Sequence, residues 1–150
     1  MIVLVDDTNL LEAAEIHSVS WIESHKSFCT PEFLSIHKIE NQLEYIKEKI
    51  ASGSKFYMLI EDKPVGVVSV TDSLIEDQYI LPDRQNKGYG TKLLEFAIKK
   101  CSSTPTLWIL ENNTGANRLY LRMGFVETGR TNAITDELNE IEYIFSLKKN

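Results

Sequence analysis

The chain has 150 residues, 43% of them hydrophobic, and a formal net charge of −6 at pH 7. A chain of this length can enclose one hydrophobic core, so we expect a single domain over residues 1–150. The negative charge argues against nucleic acid as a partner, because binding to phosphate backbones requires clustered Lys and Arg. No apolar run approaches the ~20 residues of a membrane span. The short apolar run 1–5 does not suffice for a signal peptide. We therefore expect a cytoplasmic protein with no membrane partner.

Cysteine usage predicts neither a disulfide framework nor a metal site. The chain contains two cysteines, Cys29 and Cys101, and their spacing is not that of a metal-ligand set. Cys101 falls on the apolar side of a predicted helix, where a reduced, buried thiol is expected. We predict no metal cofactor.

Hydrophobic periodicity predicts the elements of the N-terminal half. In chain order they are a strand over residues 2–5, a helix from about residue 10, a loop over 24–31, a second helical stretch from about 31 that bends around 35–40, and an antiparallel hairpin over 56–61 and 64–70. Asp7, Thr8 or Asn9 is expected to cap the first helix. That helix is expected to carry its apolar residues at Leu10, Leu11, Ala14, Val19 and Ile22.

The C-terminal half predicts a strand near residues 75–81, a glycine turn, a helix to about 102, a strand over 106–110, a helix over 114–123 that ends at Gly124, and strands over 125–128 and 141–147. In the last strand Ile141, Tyr143, Phe145 and Leu147 alternate with other residues, which predicts one apolar face. The element order predicts a mixed α/β (α+β) fold around one sheet.

The glycine turn is the strongest functional signal in the chain. Gln85-Asn86-Lys87-Gly88-Tyr89-Gly90-Thr91 follows a predicted strand and opens a predicted helix. The first N–H groups of a helix have no partner within it, and the helix dipole adds positive charge there, which favours phosphate. Glycines let a ligand approach the backbone closely. The segment lacks the spacing of a Walker loop and the third glycine of a dinucleotide fingerprint.

A second segment supports the first. Asn113, Ala116, Tyr120 and Gly124-Phe125 begin just after the predicted strand 106–110, and Ala116 and Tyr120 share one face of a helix. The two segments together resemble the GNAT superfamily of acetyl-CoA-dependent N-acetyltransferases. The resemblance is specific from about residue 76 to 125 and holds only in element order elsewhere.

The resemblance implies a single mixed, mostly antiparallel sheet of about six to seven strands, flanked by about four helices, whose fourth and fifth strands splay apart. It also implies acetyl-CoA as the co-substrate. Backbone groups of two strand residues are expected to pair with the pantetheine arm, the turn to hold the pyrophosphate, and three helix residues to contact the cofactor. These cofactor-binding residues are Ile80, Leu81, Gln85, Lys87, Gly88, Tyr89, Gly90, Thr91, Asn113, Asn117 and Tyr120.

The resemblance also implies two catalytic residues. Tyr120 matches the position of the family's general acid, and a phenol with a pKa near 10 stays protonated at neutral pH. A base must remove a proton from the amine before attack. If the strand is regular, Leu74, Glu76, Gln78 and Ile80 share one face, so Glu76 is the expected base, acting through water. Asp77 would replace it if a bulge shifts the strand, and water alone is a third alternative.

The three histidines are not expected to compete for these roles. His17, His25 and His37 fall in the N-terminal helical region, where surface positions are the default. His25 is the exception to watch, because it lies with Trp21 and Phe28 where the family has its acceptor loop.

The leading hypothesis is therefore an N-acetyltransferase that transfers an acetyl group from acetyl-CoA to a primary amine by direct attack in a ternary complex. The alternative is a non-catalytic acyl-CoA-binding or regulatory domain on the same fold, and a third hypothesis is an acidic interaction domain that binds neither. The acceptor remains open between a small molecule and a peptide amine, and a homodimer is compatible with the family.

Overall fold

The structure is a computed structural model that describes residues 1–146, so the prediction for Leu147 lies outside the described residues. The strands are β1 (Ile2–Leu4), β2 (Lys55–Ile60), β3 (Pro64–Thr71), β4 (Leu74–Ile80), β5 (Thr106–Leu110), β6 (Phe125–Ala133) and β7 (Asn139–Phe145). The helices are α1 (Leu10–His25), α2 (Pro31–Ser35), α3 (Ile39–Ala51), α4 (Tyr89–Lys100) and α5 (Thr114–Arg122), and a single 3-10 turn spans Pro82–Arg84.

All seven strands form one sheet in the order β1-β2-β3-β4-β5-β7-β6. Every neighbouring pair is antiparallel except β4 and β5, which run parallel. The predicted mixed, mostly antiparallel sheet is confirmed, with five α-helices where about four were expected. Parallel neighbours need a crossover, and α4 supplies it between β4 and β5.

The fourth and fifth strands pair over only two positions. Leu74 is opposite Thr106 and Ile75 is opposite Leu107, and no further pair joins the two strands within residues 1–146. Beyond Ile75 the strands diverge toward their carboxyl ends. There the facing edges of β4 and β5 do not pair with each other within residues 1–146, as expected for an open α/β crevice.

A β-bulge interrupts β4 just after Ile75, where β4 and β5 begin to diverge. Val67 of β3 is opposite Tyr79 and Ser69 is opposite Glu76, so two steps along β3 match three along β4. The extra residue lies at Asp77, whose φ is +55°. Because of the bulge, Glu76 and Asp77 point to the same face of the sheet.

The prediction that Glu76, Gln78 and Ile80 share a face is therefore wrong. Glu76 contacts Lys49 of α3, whereas Gln78 bonds to the first turn of α4 on the opposite face. The alternation that holds in a regular strand is lost across the extra residue.

Helices cover the two faces of the sheet unequally. Against one face α4 and α5 pack on a core that includes Leu93, Leu107 and Tyr143. Against the other face α1 and α3 cover only the half formed by the N-terminal strands, with Ala13 and Ile46 fully buried. The open half of that face, over β5 and β7, borders the site described below.

The buried face of α1 is confirmed in part. Leu10 and Ala14 are buried as expected, but Leu11 and Val19 are 52% and 46% exposed, and Ala13 and Ile16 are buried instead. Two small residues let the helix approach the sheet, and this contact decides the orientation. The helix also continues to His25, so the predicted loop over 24–31 is shorter than expected.

The C-terminal hairpin is longer than predicted. The strand expected to end at 128 continues to Ala133, with an irregularity against β7 between Glu127 and Thr131. Gly129 lies in this irregularity with φ +91°. The predicted apolar face of β7 is confirmed in part: Tyr143 is fully buried and its neighbours Ile141 and Phe145 are half-buried.

The packing between β3 and β4 leaves no room for a side chain at Gly66 of β3. A Cβ at this position would lie 2.5 Å from Ile80 Cδ1, 2.8 Å from Leu93 Cδ1 and 3.1 Å from the Tyr79 carbonyl oxygen. Overpacking of this kind costs about 1–3 kcal/mol, so Gly66→Ala should lower the free energy of unfolding by that amount in urea denaturation. Gly115→Ala is the control, because its Cβ would meet no atom within 4 Å. Equal stability of the two variants would contradict the packing described here.

Candidate active site

The Asp77 carboxylate is a hub for four donors from three elements. It accepts hydrogen bonds from His17 Nε2 of α1 at 2.8 Å and from Ser69 Oγ of β3 at 2.8 Å. From α3 it accepts the Tyr45 hydroxyl at 3.1 Å and Lys49 Nζ at 3.3 Å. Only 8% of the Asp77 side chain is exposed. A buried carboxylate needs this degree of pairing to remain charged.

The charges of this cluster stabilise one another. Burial raises the pKa of Asp77, but the His17 hydrogen bond and charge, the Lys49 charge and the Ser69 hydrogen bond outweigh it, so the pKa lies well below its ordinary value. Burial likewise lowers the pKa of Lys49, and the carboxylates of Asp77 and Glu76 reverse the effect and raise it. Lys49 is thus a fixed cation that pairs with both carboxylates.

A cavity of about 230 Å³ opens beside this cluster, between the diverging ends of β4 and β5. We call it the inner cavity. Its walls come from α1 and α2 on one side, from β4 and β5 at the centre, and from β7 and the segment before it on the other. The residues that define it here are Trp21, His25, Phe33, Glu76, Asp77, Tyr79, Trp108, Leu110, Tyr120, Ile134 and Glu140.

A second, larger space of about 570 Å³ adjoins the inner cavity. We call it the outer cleft. It lies between β4 and the first turns of α4 and α5. Gly88 forms its edge with φ +84° and caps α4 without a side-chain hydrogen bond. The N–H groups of Tyr89, Gly90 and Thr91 have no acceptor within residues 1–146, because the first intrahelical bond runs from Lys92 to the Gly88 carbonyl at 3.1 Å.

Polar and cationic groups that the sequence did not single out complete the outer cleft. Gln78 donates from Nε2 to the Gly90 carbonyl at 2.7 Å, while its buried Oε1 has no partner in the described chain. Arg118 and Arg122 of α5 line the same cleft, and Arg122 Nη2 donates to Thr91 Oγ1 at 3.4 Å. The i, i+4 spacing of the two arginines was the available signal, since it puts both on one helix face.

Tyr120 lines both spaces, as do Gln78, Tyr79, Asn113 and Ala116. Tyr120 is 6% exposed. Its ring packs edge-on against Phe125, with centroids 5.9 Å apart. Burial, and secondarily the Asp77 charge, raises the pKa of Tyr120 above its ordinary value. The phenol therefore keeps its proton at neutral pH, and no hydrogen bond engages it within residues 1–146.

The structure brings most of the sequence-predicted cofactor residues to one place. Eight of them line the outer cleft: Ile80, Gln85, Gly88, Tyr89, Gly90, Thr91, Asn113 and Tyr120. Asn113 also caps α5, where its Oδ1 accepts from the Ala116 N–H at 3.2 Å.

Three predicted cofactor residues are not among the lining residues of this cleft. Leu81 donates its N–H to the Val65 carbonyl at 2.9 Å, so this group is engaged by the sheet. Asn117 accepts a hydrogen bond from the Tyr143 hydroxyl. The Lys87 side chain is exposed outside the cleft.

The prediction of surface histidines is wrong. His17 and His25 are each 3% exposed, and His37 is half-buried. His17 is buried because it bonds to Asp77, and the other two are buried because they stack on opposite faces of Trp21. The His17–Asp77 bond and the His37–Trp21 stack join residues that are distant in sequence, so periodicity does not reveal them. Trp21 and His25 lie one turn apart on α1, so their stack is compatible with helical spacing.

Cys29 and Cys101 are both free and half-buried. In the part of the chain that the structure describes, no group of three or more His, Cys, Asp or Glu side chains could hold a metal ion. Among those same residues, no helix is long and apolar enough to cross a membrane.

The family model of the acetyltransferase (GNAT) domain matches residues 52–127, just over half of the chain. The chain belongs to this acetyltransferase family. The peptidyl-lysine N-acetyltransferase YjaB of Salmonella typhimurium is 35% identical over 71 residues, which are 47% of this chain and 48% of that protein. The chain thus matches about half the length of this curated relative.

Solved structures agree in fold. PaiA N-acetyltransferase of Thermoplasma acidophilum, in complex with coenzyme A, has a TM-score of 0.68 at 17% identity, covering 95% of this chain and 96% of its own. YncA of Salmonella typhimurium, with its cofactor acetyl-CoA, has a TM-score of 0.70 at 19% identity, covering 100% and 95% respectively. The expected fold class, including the splayed strands, is confirmed.

The outer cleft fits coenzyme A on its own geometry. A pyrophosphate needs several donors and positive potential, and the free N–H groups of the first turn of α4 supply both. A Cβ at Gly88 would meet no protein atom within 4 Å, so the backbone there is open to a ligand. The Arg122 guanidinium beside Thr91 adds a charged donor.

The substitution Asp77→Asn tests whether the charged carboxylate stabilises the fold. The pKa of the folded state lies below that of the unfolded chain, which is about 3.9, so the carboxylate stabilises the fold fully above about pH 5 and this contribution is lost as the pH falls. Removing one partner of a buried charge cluster costs about 3–5 kcal/mol. In urea unfolding we expect the free energy of unfolding of the variant to fall below that of wild type by this amount at pH 7, and by less at pH 3.

Asp83→Asn serves as the matched control, because 68% of the Asp83 side chain is exposed and its only ion pair within residues 1–146 is a 4.0 Å contact with Lys63. It should unfold like wild type at both pH values. A loss for Asp77→Asn that is the same at pH 3 as at pH 7 would contradict a carboxylate that is charged in the folded state.

Proposed function

We propose that this protein is an acetyl-CoA-dependent N-acetyltransferase whose acceptor is a primary amine. Acetyl-CoA occupies the outer cleft and the amine enters the inner cavity. The observation that carries the proposal is the position of Tyr120, whose protonated hydroxyl stands where the two spaces join. A general acid is required at that junction, because the thiol leaves there as the amine arrives.

Both backbone groups and side chains bind acetyl-CoA. The N–H groups of Tyr89, Gly90 and Thr91 hold the pyrophosphate, assisted by Arg122. Further contacts along the cleft come from Ile80, Gln85, Asn113 and Gln78. When bound, the co-substrate supplies an acetyl thioester, which is an activated acyl group.

Transfer is direct, in a ternary complex. The amine nitrogen attacks the thioester carbon, a C–N bond forms and the C–S bond breaks. Glu76 accepts the proton that the amine loses, through water, and Tyr120 donates its proton, or a strong hydrogen bond, to the departing sulfur. Lys49 orients Glu76 through their ion pair. Asp77 holds four donors already, which favours Glu76 over Asp77 as the base.

We also propose that residues 1–150 form one domain and that the protein is cytoplasmic. We propose no nucleic-acid partner, because the net charge of −6 disfavours binding to phosphate backbones. A homodimer remains part of the proposal, since β6 lies at the edge of the sheet.

An amine-panel assay tests the function. Acetyl-CoA is incubated with the protein and a panel of small amines, polyamines and lysine peptides, and the release of free thiol is followed. Turnover that depends on an amine supports the proposal. Tight binding of coenzyme A in isothermal titration with no turnover across the panel would favour a non-catalytic acyl-CoA-binding domain instead. Absence of both would favour an interaction domain that binds neither.

Tyr120→Phe should lower kcat by about 10²–10⁴-fold, the range for loss of a general acid, because the leaving sulfur loses its proton donor. The KM for acetyl-CoA should change little. Steady-state thiol release gives both constants. Tyr57→Phe is the control, since Tyr57 is a buried core tyrosine that borders neither space. Unchanged turnover in the Tyr120 variant would remove this residue from the mechanism.

Glu76→Gln should reduce kcat/KM at neutral pH and regain activity as the pH rises toward the pKa of the amine. The reason is that the fraction of amine already deprotonated grows about tenfold per pH unit in this range. A pH profile of kcat/KM for wild type and variant provides the measurement. A deficit that stays constant with pH would assign Glu76 a structural role and return the base to Asp77 or water.

A further inference from the structure

His25 is fixed in one orientation and one tautomer. Its Nδ1 lies 2.8 Å from the Trp21 carbonyl oxygen and 2.7 Å from Ser24 Oγ. A carbonyl oxygen can only accept, so Nδ1 carries the hydrogen and donates it. The ring stacks on Trp21 with centroids 4.0 Å apart and planes 7° apart, and Phe28 tilts against it at 5.3 Å.

The other ring nitrogen is left for a ligand. His25 is 3% exposed and its ring lines the inner cavity. Nε2 has no hydrogen-bond partner within residues 1–146. In the tautomer set by the Trp21 carbonyl, Nε2 bears a lone pair and is an acceptor. Burial lowers the pKa of His25 to about 4, so the imidazole is neutral at pH 7 and does not repel a cation.

The rest of the inner cavity selects by charge and by size. Its lining includes the carboxylates of Glu76, Asp77 and Glu140, and within the described residues it includes no Lys or Arg. Lys49 pairs with both Glu76 and Asp77 but does not line the cavity, and Glu140 has no ion pair within residues 1–146. Such a surface attracts an ammonium group. The remaining walls are largely apolar and come from Trp21, Phe33, Trp108, Leu110 and Ile134.

The volume limits what can enter. A cavity of roughly 150 Å³ is sufficient for benzene, and the inner cavity has about 230 Å³. The difference is enough for a short aminoalkyl arm in addition to one ring-sized body.

We propose that the inner cavity takes a compact primary amine with one amino group and an apolar, ring-sized body, and that His25 Nε2 accepts a hydrogen bond from that amino group. This inference rests on the proposed function and names its acceptor class. A deprotonated amine has two N–H groups and one lone pair. One N–H donates to His25, and the lone pair remains free for attack. His25 is thus a specificity-determining residue, and the proton goes to Glu76.

Binding can be measured without acetyl-CoA. The chain's two tryptophans, Trp21 and Trp108, both line the inner cavity, so tryptophan fluorescence reports its occupancy directly. The probes are 2-phenylethylamine, its alcohol analogue 2-phenylethanol, spermidine and a lysine peptide with blocked ends. We expect saturable binding of 2-phenylethylamine, with a Kd at least about tenfold below those of the other three. Tighter binding of spermidine or the peptide would overturn the acceptor class, as would no response to 2-phenylethylamine.

A pair of matched variants tests His25. Asn at position 25 retains an N–H donor near that of Nδ1 and loses the Nε2 acceptor, so His25→Asn should weaken 2-phenylethylamine binding about tenfold. It should leave coenzyme A binding unchanged. His25→Gln extends an amide oxygen toward the position of Nε2 and should restore part of the affinity.

His37→Asn is the control. His37 stacks on the opposite face of Trp21, with centroids 3.4 Å apart and planes 7° apart, and its Nδ1 donates to the Phe33 carbonyl at 3.2 Å. It does not line the inner cavity. This variant should bind the amine within about twofold of wild type. Equal losses in the two Asn variants would reduce His25 to support of Trp21, and no loss in His25→Asn would remove it from amine binding.

Nitrogen-15 spectra of the unmodified protein provide an independent measurement if the His25 variants do not fold. His25 should show a protonated Nδ1 and an unprotonated Nε2, and 2-phenylethylamine should shift Nε2. The His37→Asn spectrum assists assignment. A protonated Nε2, or no shift at saturation, would overturn the proposal.

Thiol release separates this inference from the function on which it rests. Acetylation of other amines but not of 2-phenylethylamine would overturn the acceptor class and leave the N-acetyltransferase proposal intact. No acetylation of any amine, or no binding of coenzyme A, would overturn the proposed function, and the fluorescence titration would still decide the role of His25 in amine binding.

Discussion

The site depends on one buried carboxylate. Asp77 has a positive φ of +55° inside a strand, a conformation that costs roughly 1–3 kcal/mol for a residue other than glycine. Hydrogen bonds from α1, α3 and β3 meet at its side chain and offset that cost. The bulge lies just beyond Ile75, the last residue of β4 that pairs with β5, where these two strands begin to diverge. The same cluster of charges thus stabilises the fold and the opening that gives access to the site.

Two spaces of opposite electrostatic character meet at this opening. The outer cleft offers free N–H groups and arginine side chains, which suit an anion, and the inner cavity offers carboxylates and a neutral imidazole, which suit a cation. The outer cleft should bind the ligand of the inner cavity poorly, and the reverse, because each space disfavours the charge that the other attracts. Tyr120 belongs to both, and its buried phenol is neutral, so it can serve the junction without favouring either charge.

The family model covers most of the residues that line the outer cleft and a smaller share of those that line the inner cavity. The family model ends at residue 127 and begins at 52, so it contains the glycine turn and Tyr120 but neither α1 nor β7. Trp21 and His25 on α1 and Glu140 on β7 lie outside it. The inner cavity therefore depends in part on side chains outside the family model, among them Trp21 and His25, which stack on each other.

The sequence by itself determined the order of elements, the glycine turn between β4 and α4, and the place of Tyr120 on α5, because each of these depends on residues close together in the chain. A glycine turn between a strand and a helix exposes the same N–H groups wherever it occurs. Only the tertiary structure decided which faces are buried. The bulge at Asp77 turned Glu76 away from Gln78, and contacts with Tyr45 of α3 and with β4 buried His17. Such contacts join residues up to 60 positions apart, as His17 and Asp77 are, and local periodicity carries no information about them.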